Sequence, residues 1–291
     1  MIKNYLKLIR VPQWIKNFFV FVPLLFSLHL FDKEYFLLSL KAFFVFSLAS
    51  SFVYVVNDII DIEADRAHPK KKSRPLASGK ISKSSAVILA VVLLIIVLSS
   101  YFFFNYQFVS FLFAFLILNV LYSFYLKHIV ILDIFSIAAG FSIRVLAGAA
   151  VIDVPVSSWL ILTTMFISLF LGVMKRHSEL VQVAENNKST RKVLAEYSTN
   201  FTNQMATVAA SGVIICYALY TVSQRTVSVF NTENLIYTTP FVVFGIFRYM
   251  YLEYQNNQAE NTTQVMMTDV PMILTVISYA IVTVLIIYKI I

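Results

Sequence analysis

The chain has 291 residues, of which 59% are hydrophobic and only 13% are charged. A water-soluble domain of this length could not bury so much apolar surface, so the composition excludes that class and predicts a membrane protein. The single cysteine, Cys216, excludes a disulfide framework.

Apolar runs long enough to cross a bilayer as helices follow one another along the chain, each closed by polar residues. Strands are excluded because the runs do not alternate in polarity and an open sheet edge cannot face lipid. We therefore predict an all-α polytopic membrane protein, one domain over 1–291 whose N-terminal segment 1–16 lies in the membrane interface. The predicted spans are roughly 17–32, 36–56, 85–104, 107–126, 131–151, 157–174, 203–222, 236–252 and 270–289.

The net charge of +8 is informative through its placement. Most Lys and Arg residues fall before the first span or in the loops 57–84 and 175–202, which predicts a cytoplasmic N-terminus and an outer C-terminus. These two loops and 253–269 are the long ones, so we expect a soluble substrate to arrive from the cytoplasm. Membrane lipid accounts for the basicity, and nucleic acid is not an expected partner. The first two loops resemble each other loosely, which leaves a four-span duplication open.

The strongest motif runs from Asn57 to Asp65, where the second span ends, with the pattern Asn-Asp-x-x-Asp-x-x-x-Asp. At about 100° per residue, Asp58, Asp61 and Asp65 fall on one stripe of a helix, whereas Glu63 faces away. Three carboxylates so placed repel each other unless a cation lies among them, and Mg²⁺ prefers oxygen ligands of this kind. We therefore predict that the three aspartates are catalytic and bind Mg²⁺. The alternative is a solvated acidic helix end paired with nearby lysines.

A basic loop follows the acids. Pro69 is expected to stop the helix, and the residues after it include Lys71 and Arg74, the latter held in place by Pro75. Acids followed by bases suit a metal–diphosphate, because the metal bridges carboxylate to phosphate while Lys and Arg hold the remaining phosphate oxygens. For the lysine run alone, a topology signal is the alternative.

Two charged residues lie within the fifth predicted span. Asp133 and Arg144 are about 20° apart around a helix and separated by roughly 16 Å along it. An arginine this deep should point into a cavity, where it contacts a phosphate or forms a buried structural pair with a neighbouring helix.

A second basic group closes the sixth span. Lys175 and Glu179 are spaced as an exposed ion pair on a helix, which needs no function. Arg176 and Arg191 are candidates to hold a sugar 5-phosphate or a lipid phosphate; a structural role is the alternative.

The aspartate motif resembles that of the UbiA-type superfamily of intramembrane prenyltransferases. The resemblance implies nine helices around a cavity that opens to the cytoplasmic side and laterally to lipid, with a Mg²⁺-diphosphate at its cytosolic end. Other segments are similar to the branch of decaprenyl-phosphate phosphoribosyltransferases. These segments are Arg10-Val11-Pro12-Gln13-Trp14-Ile15-Lys16-Asn17, Phe21-Val22-Pro23-Leu24, His68-Pro69, Lys71, Arg74-Pro75, Leu126-Lys127-His128, Asp133, Arg144, Ala147-Gly148, Lys175-Arg176-His177-Ser178-Glu179-Leu180, Arg191, Tyr197, Arg248-Tyr249 and Asp269.

What the resemblance implies is a set of substrate-binding residues around the aspartates. One departure concerns the second Asp-x-x-x-Asp motif of the superfamily, which reads here Asp133 to Ile137 and lacks its second carboxylate. A single metal cluster with many cations suits a ribose 5-phosphate as well as a diphosphate. The implied substrate-binding residues are Lys16, Asn17, Asn57, Lys71, Arg74, Lys127, Asp133, Arg144, Lys175, Arg176, Glu179, Arg191, Tyr197 and Arg248.

The function implied is Mg²⁺-dependent transfer of 5-phosphoribose from phosphoribosyl diphosphate to a polyprenyl phosphate, releasing diphosphate, for cell-envelope glycan precursors. The expected location is a bacterial or archaeal inner membrane, and a homo-oligomer is compatible with the sequence. One alternative is transfer of a prenyl chain from its diphosphate to an aromatic acceptor. A transporter is the more distant one, since it would place charges at mid-bilayer in several helices and only Arg144 fits.

Overall fold

A computed structural model describes residues 2–67, 71–186, 192–256 and 268–290, and every regular element in these ranges is helical. The predicted all-α class is confirmed. Arg191, Pro69 and most of the loop 253–269 lie outside the described residues. The α-helices are α1 Ile2–Leu8, α2 Val22–Leu25, α3 Lys33–Ile60, α4 Ile62–Ala67, α5 Lys83–Ser99, α6 Tyr106–Phe124, α7 Leu132–Val151, α8 Ser158–Asn186, α9 Thr199–Val222, α10 Gln224–Phe230, α11 Thr239–Asn256 and α12 Val270–Ile287. The 3₁₀ helices are Val11–Phe21, Lys71–Ser73, Ser100–Phe102, Leu126–His128, Lys192–Glu196 and Asn234–Thr238.

Eight helices in the described part of the chain are long and apolar enough to cross a membrane. They correspond to the second to ninth predicted spans, and the largest differences are extensions of the second span to Ile60 and the sixth to Gln182. A bent pair, Ile2–Leu8 and Val11–Leu25, supplies a ninth candidate. The expected multi-span membrane protein is therefore confirmed, while the cavity stays a prediction.

The first span differs from its predicted form. Instead of one helix over 17–32, a 3₁₀ helix covers Val11–Phe21 and α2 ends at Leu25, with a 50° bend after α1. The backbone at Arg10 is left-handed, with φ of 53°. The bend precedes Pro12, which lacks the backbone donor that would continue the hydrogen bonds of α1.

The chain divides into two compact units. The prediction of a single domain stays a prediction. The core of the first unit includes Leu8, Val55, Leu76, Ala86 and Leu93, so that α1, α3 and α5 share one apolar interior. The first unit consists of Met1–Leu24, Asp32–Ser123 and Ile143–Val154.

The second unit is built on the packing of α8 against α9. Its core includes Ile134, Phe170, Met174, Ala210 and Val213, which bring α7, α8 and α9 together. Helix α7 contributes residues to both units, with Asp133 assigned to the second and Arg144 to the first. The second unit consists of Leu25–Phe31, Phe124–Ser142 and Pro155–Ile291.

Gly148 allows a close backbone approach in the first unit. A Cβ at this position would overlap the carbonyl group of Val20, and backbone cannot move aside as a side chain can. We expect Gly148→Ala to lower the free energy of unfolding by about 1–3 kcal/mol. Gly245 in α11 is the matched control, because a Cβ there meets nothing within 4 Å and alanine favours a helix by about 1 kcal/mol. Unfolding of the purified variants in detergent, followed against temperature, measures both; equal stability of the two would contradict this packing.

Candidate active site

The aspartate motif spans the junction of α3 and α4. Asp61 leaves the helical conformation, with φ of −91° and ψ of 12°. The hydrogen bonds nevertheless continue, since the Asp61 N–H donates to the Asn57 carbonyl at 2.9 Å and the Asp65 N–H donates to the Asp61 carbonyl at 2.8 Å. The chain therefore keeps the helical register that the predicted stripe requires.

Asp58 and Asp65 share one arginine. Arg74 Nη1 donates to Asp58 Oδ1 at 3.1 Å and to Asp65 Oδ2 at 2.6 Å. Arg10 Nη2 donates to the same Asp58 oxygen at 2.5 Å. Both aspartates are only 3% exposed. Two buried acids are thus balanced by two guanidinium groups, one of which bridges them.

The two arginines are held by short local structures. Arg74 follows the 3₁₀ turn Lys71–Ser73, and its N–H donates to the Lys71 carbonyl at 2.9 Å. Arg10 lies at the left-handed bend, and its guanidinium stacks over the Tyr54 ring, 4.6 Å from the centroid. Sequence reasoning noted Arg10 only within a similar segment and did not assign it to the site, because no spacing rule connects it to Asp58.

Asp61 differs from the other two aspartates. It is half-buried, and its carboxylate has no hydrogen bond or ion pair with any residue that the structure describes. Asn57 is likewise half-buried on the preceding turn. The carboxylates and this amide form a donor set of hard oxygens, of the kind that Mg²⁺ takes together with waters and phosphates.

Whether these residues suit a metal depends on how the acids are arranged and on where the neighbouring arginine lies. Across the described ranges, no three His, Cys, Asp or Glu side chains surround one point closely enough to form a complete cage. Arg74 instead places positive charge between Asp58 and Asp65. Mg²⁺ usually needs only one or two carboxylates plus substrate phosphates, so the residues present fit this metal without a complete protein cage.

Arg144 lies in a buried polar cluster of the first unit. Its Nε donates to Asn17 Oδ1 at 2.7 Å, and its guanidinium stacks on Phe115 with 4.5 Å to the centroid. Asn17 Nδ2 donates in turn to Ser47 Oγ at 3.1 Å. These contacts fit the structural alternative for Arg144. A phosphate contact of Arg144 and substrate binding by Asn17 stay predictions. Lys16 is half-buried and close enough to Arg10 and Arg144 to experience their charges.

A second charged cluster lies within the second unit. Arg176 Nε donates to Asp133 Oδ2 at 2.6 Å, and Arg176 Nη1 donates to Glu179 Oε2 at 2.5 Å. Tyr197 donates its hydroxyl to Asp133 Oδ1 at 2.7 Å and accepts the Ile131 N–H at 2.7 Å. Burial raises the pKa of Tyr197, as does its hydrogen bond to Asp133, so the phenol remains a donor. An arginine that bridges two carboxylates therefore occurs in each unit.

Four further predicted substrate-binding residues are Arg248, Lys127, Lys71 and Lys175. Arg248 donates to both oxygens of Asp269, at 3.1 and 2.8 Å, and this pair holds the Asp269 pKa below its ordinary value. Asp269 Oδ1 also accepts the Met272 N–H at 2.9 Å and so caps α12. Lys127 is half-buried in the 3₁₀ turn Leu126–His128. Lys71 and Lys175 each make a further interaction, so the structure leaves their substrate roles as predictions.

Comparison with known proteins places the chain among membrane transferases. The sequence pattern described as the UbiA prenyltransferase family matches residues 18–285. A decaprenyl-phosphate phosphoribosyltransferase of Mycolicibacterium smegmatis is 34% identical over 77% of this chain and 72% of its own length. A protein of that name from Mycobacterium tuberculosis is 34% identical over 76% of this chain and 74% of its own length.

The solved structures agree on the fold. A UbiA homolog from Archaeoglobus fulgidus bound to GPP and Mg²⁺ superimposes with a TM-score of 0.69 at 17% identity, covering 98% of this chain and 97% of that one. The match to the family pattern extends over most of the chain, from the first candidate span to the last. This chain is therefore an integral membrane enzyme that belongs to the UbiA prenyltransferase family.

Proposed function

We propose that this enzyme transfers 5-phosphoribose from phosphoribosyl diphosphate to a polyprenyl phosphate, with Mg²⁺, and releases diphosphate. The observation that carries the proposal is the 34% identity to phosphoribosyltransferases over about three quarters of the chain. The cluster of buried acids and arginines at the end of α3 has the charges that a metal–diphosphate needs.

The metal would be held by the aspartate motif. Asp58, Asp61 and Asp65 are the candidate ligands, with Asn57 beside them. When bound there, Mg²⁺ supplies a Lewis acid that stabilises the negative charge on the departing diphosphate.

The chain's cations take the substrate's other charges. Lys71 lies on the 3₁₀ turn beside the acids and Arg74 follows it, and both would hold diphosphate oxygens. The planar guanidinium of Arg74 can do so with two parallel hydrogen bonds, and the ammonium of Lys71 acts as a point charge. Lys16 is half-buried within electrostatic range of Arg144 and Arg10 and is a candidate for a second phosphate. These contacts would fix the ribose C1 relative to the incoming acceptor.

The transfer needs no general base. The bond from C1 to the diphosphate oxygen breaks, diphosphate leaves with the electron pair, and an oxygen of the polyprenyl phosphate bonds to C1. Because that oxygen is already anionic, no proton has to be removed, and the protein contributes positioning and charge stabilisation.

The proposed setting is a bacterial or archaeal inner membrane with the acidic motif on the cytoplasmic side. The basic residues before and after the motif favour this orientation. A water-soluble sugar diphosphate would then reach the site from the cytoplasm, and the polyprenyl phosphate would enter from the bilayer. The product would serve as a precursor of cell-envelope glycans.

An assay with two substrate pairs tests the proposal. Purified enzyme in detergent is given radiolabelled phosphoribosyl diphosphate with decaprenyl phosphate, or a labelled polyprenyl diphosphate with an aromatic acid. We expect a labelled phosphoribosyl lipid from the first pair only, and none when EDTA is present. A prenylated aromatic product with no phosphoribosyl lipid would contradict the proposal, as would substrate exchange across liposomes without any covalent product.

A further inference from the structure

Arginines hold one oxygen of each of the two buried acids that would bind the metal. Asp58 Oδ1 accepts from both Arg10 and Arg74, and the same Arg74 nitrogen also reaches Asp65 Oδ2. The two acids are nearly inaccessible, while the side chains of Arg10 and Arg74 are 26% and 27% exposed. The acids are therefore the fixed part of the cluster, and the arginines reach toward solvent.

This pairing has a clear physical reason. A buried carboxylate without a partner is strongly unfavourable, so two acids in the protein interior require nearby positive charge whenever the metal is absent. Arg10 and Arg74 supply that charge, and the Tyr54 ring supports Arg10 from its face.

Metal and guanidinium compete for the negative charge of the same two carboxylates. Asp58 and Asp65 would hold the metal through carboxylate oxygens, the kind of ligand that Mg²⁺ prefers. The two kinds of cation also repel each other across this short distance. A bound metal therefore weakens the attraction of Asp58 and Asp65 for the guanidinium groups and favours movement of at least one of them away from the acids.

The displaced arginines would meet the diphosphate. We propose that Arg10 and Arg74 are exchangeable counter-ions, which neutralise Asp58 and Asp65 in the metal-free enzyme and move to phosphate oxygens when metal and diphosphate bind together. This makes Arg10 a diphosphate-binding residue and couples the binding of the two ligands. The inference rests on the proposed metal–diphosphate site. Phosphate suits the exchange because it accepts the same forked hydrogen bonds as a carboxylate.

Metal binding measured without turnover tests the coupling. The probe is Mn²⁺, detected by electron paramagnetic resonance on purified full-length enzyme, with and without inorganic pyrophosphate at free Mn²⁺ concentrations set by a metal buffer. In the wild type we expect pyrophosphate to tighten Mn²⁺ binding at least about tenfold, which is about 1.4 kcal/mol of coupling. In Arg10→Gln and Arg74→Gln, Mn²⁺ alone should bind several-fold more tightly, and the coupling should shrink.

Arg66 provides the matched control. It lies on α4 directly after Asp65 in sequence but pairs with exposed Glu63 at 2.9 Å, so Arg66→Gln removes an equal charge without touching Asp58 or Asp65. We expect Arg66→Gln to bind Mn²⁺ as the wild type does, with the same coupling.

The outcomes separate the inference from the proposed function. Equal Mn²⁺ affinity of the wild type with and without pyrophosphate would overturn the exchange, as would Arg10→Gln and Arg74→Gln variants that bind Mn²⁺ like Arg66→Gln. If Arg74→Gln does not fold, the wild-type coupling and Arg10→Gln decide alone. Absence of Mn²⁺ binding to the wild type even with pyrophosphate would overturn the proposed metal site itself.

Discussion

Replacing Asp61 with asparagine is expected to lower kcat/KM by about a hundredfold to a thousandfold, or about 3–4 kcal/mol of barrier, while leaving stability unchanged. The Asp61 carboxylate forms no ion pair with the residues that the structure describes, so its removal breaks no structural contact there. The proposed role of the Asp61 carboxylate is to bind the metal that stabilises the leaving diphosphate. Turnover and thermal unfolding of the same purified sample measure both effects.

Two further variants sharpen this result. Glu63→Gln, on the exposed face of α4, should retain full turnover, because Glu63 is 84% exposed and pairs only with the surface residue Arg66 among the described residues. Asp58→Asn should lose turnover and also stability, since it leaves Arg10 with a neutral partner and Arg74 with only one of its two carboxylates. Near wild-type turnover of Asp61→Asn in Mg²⁺ would exclude Asp61 from the metal site.

Among the proposed variants, Arg176→Met is expected to be the most destabilising. It should lower the free energy of unfolding by about 3–5 kcal/mol. Arg176 and Asp133 are both fully buried, and Arg176 also pairs with Glu179. Removal of the guanidinium leaves the buried Asp133 carboxylate without its ion-pair partner in the protein interior, where an unpaired charge is very unfavourable. Denaturation of the detergent-solubilised variant measures the loss.

The control is an exposed ion pair with the same sequence spacing. Arg66 and Glu63 are three residues apart, as are Arg176 and Glu179, but both are exposed. Arg66→Met should therefore change stability by less than about 1 kcal/mol. Adding Asp133→Asn to Arg176→Met should recover part of the loss, because one uncompensated charge is removed while an acceptor for Tyr197 remains. A loss no larger than that of Arg66→Met would contradict the structural importance of Arg176.

The sequence by itself determined where the helices lie and that the aspartates of the acidic motif share one side of a helix. In lipid, only helices and closed barrels satisfy every backbone hydrogen-bonding group, so the lengths of the apolar runs were enough to locate eight of the spans. Asp58 and Asp65 are seven residues apart, close to two helical turns. Local geometry alone therefore predicted that they share a side, and one arginine nitrogen contacts both.

Only the tertiary structure decided which cation meets which acid. Arg10 is 48 residues from Asp58, and Asp133 is 43 residues from Arg176 and 64 from Tyr197. Helical periodicity relates residues a few positions apart and carries no information about partners on distant segments. The break at Arg10, which replaces a straight first span, brings this arginine to the acids. Burial then makes each such pairing necessary, because a charged group removed from water is very unfavourable unless a group of opposite charge lies beside it.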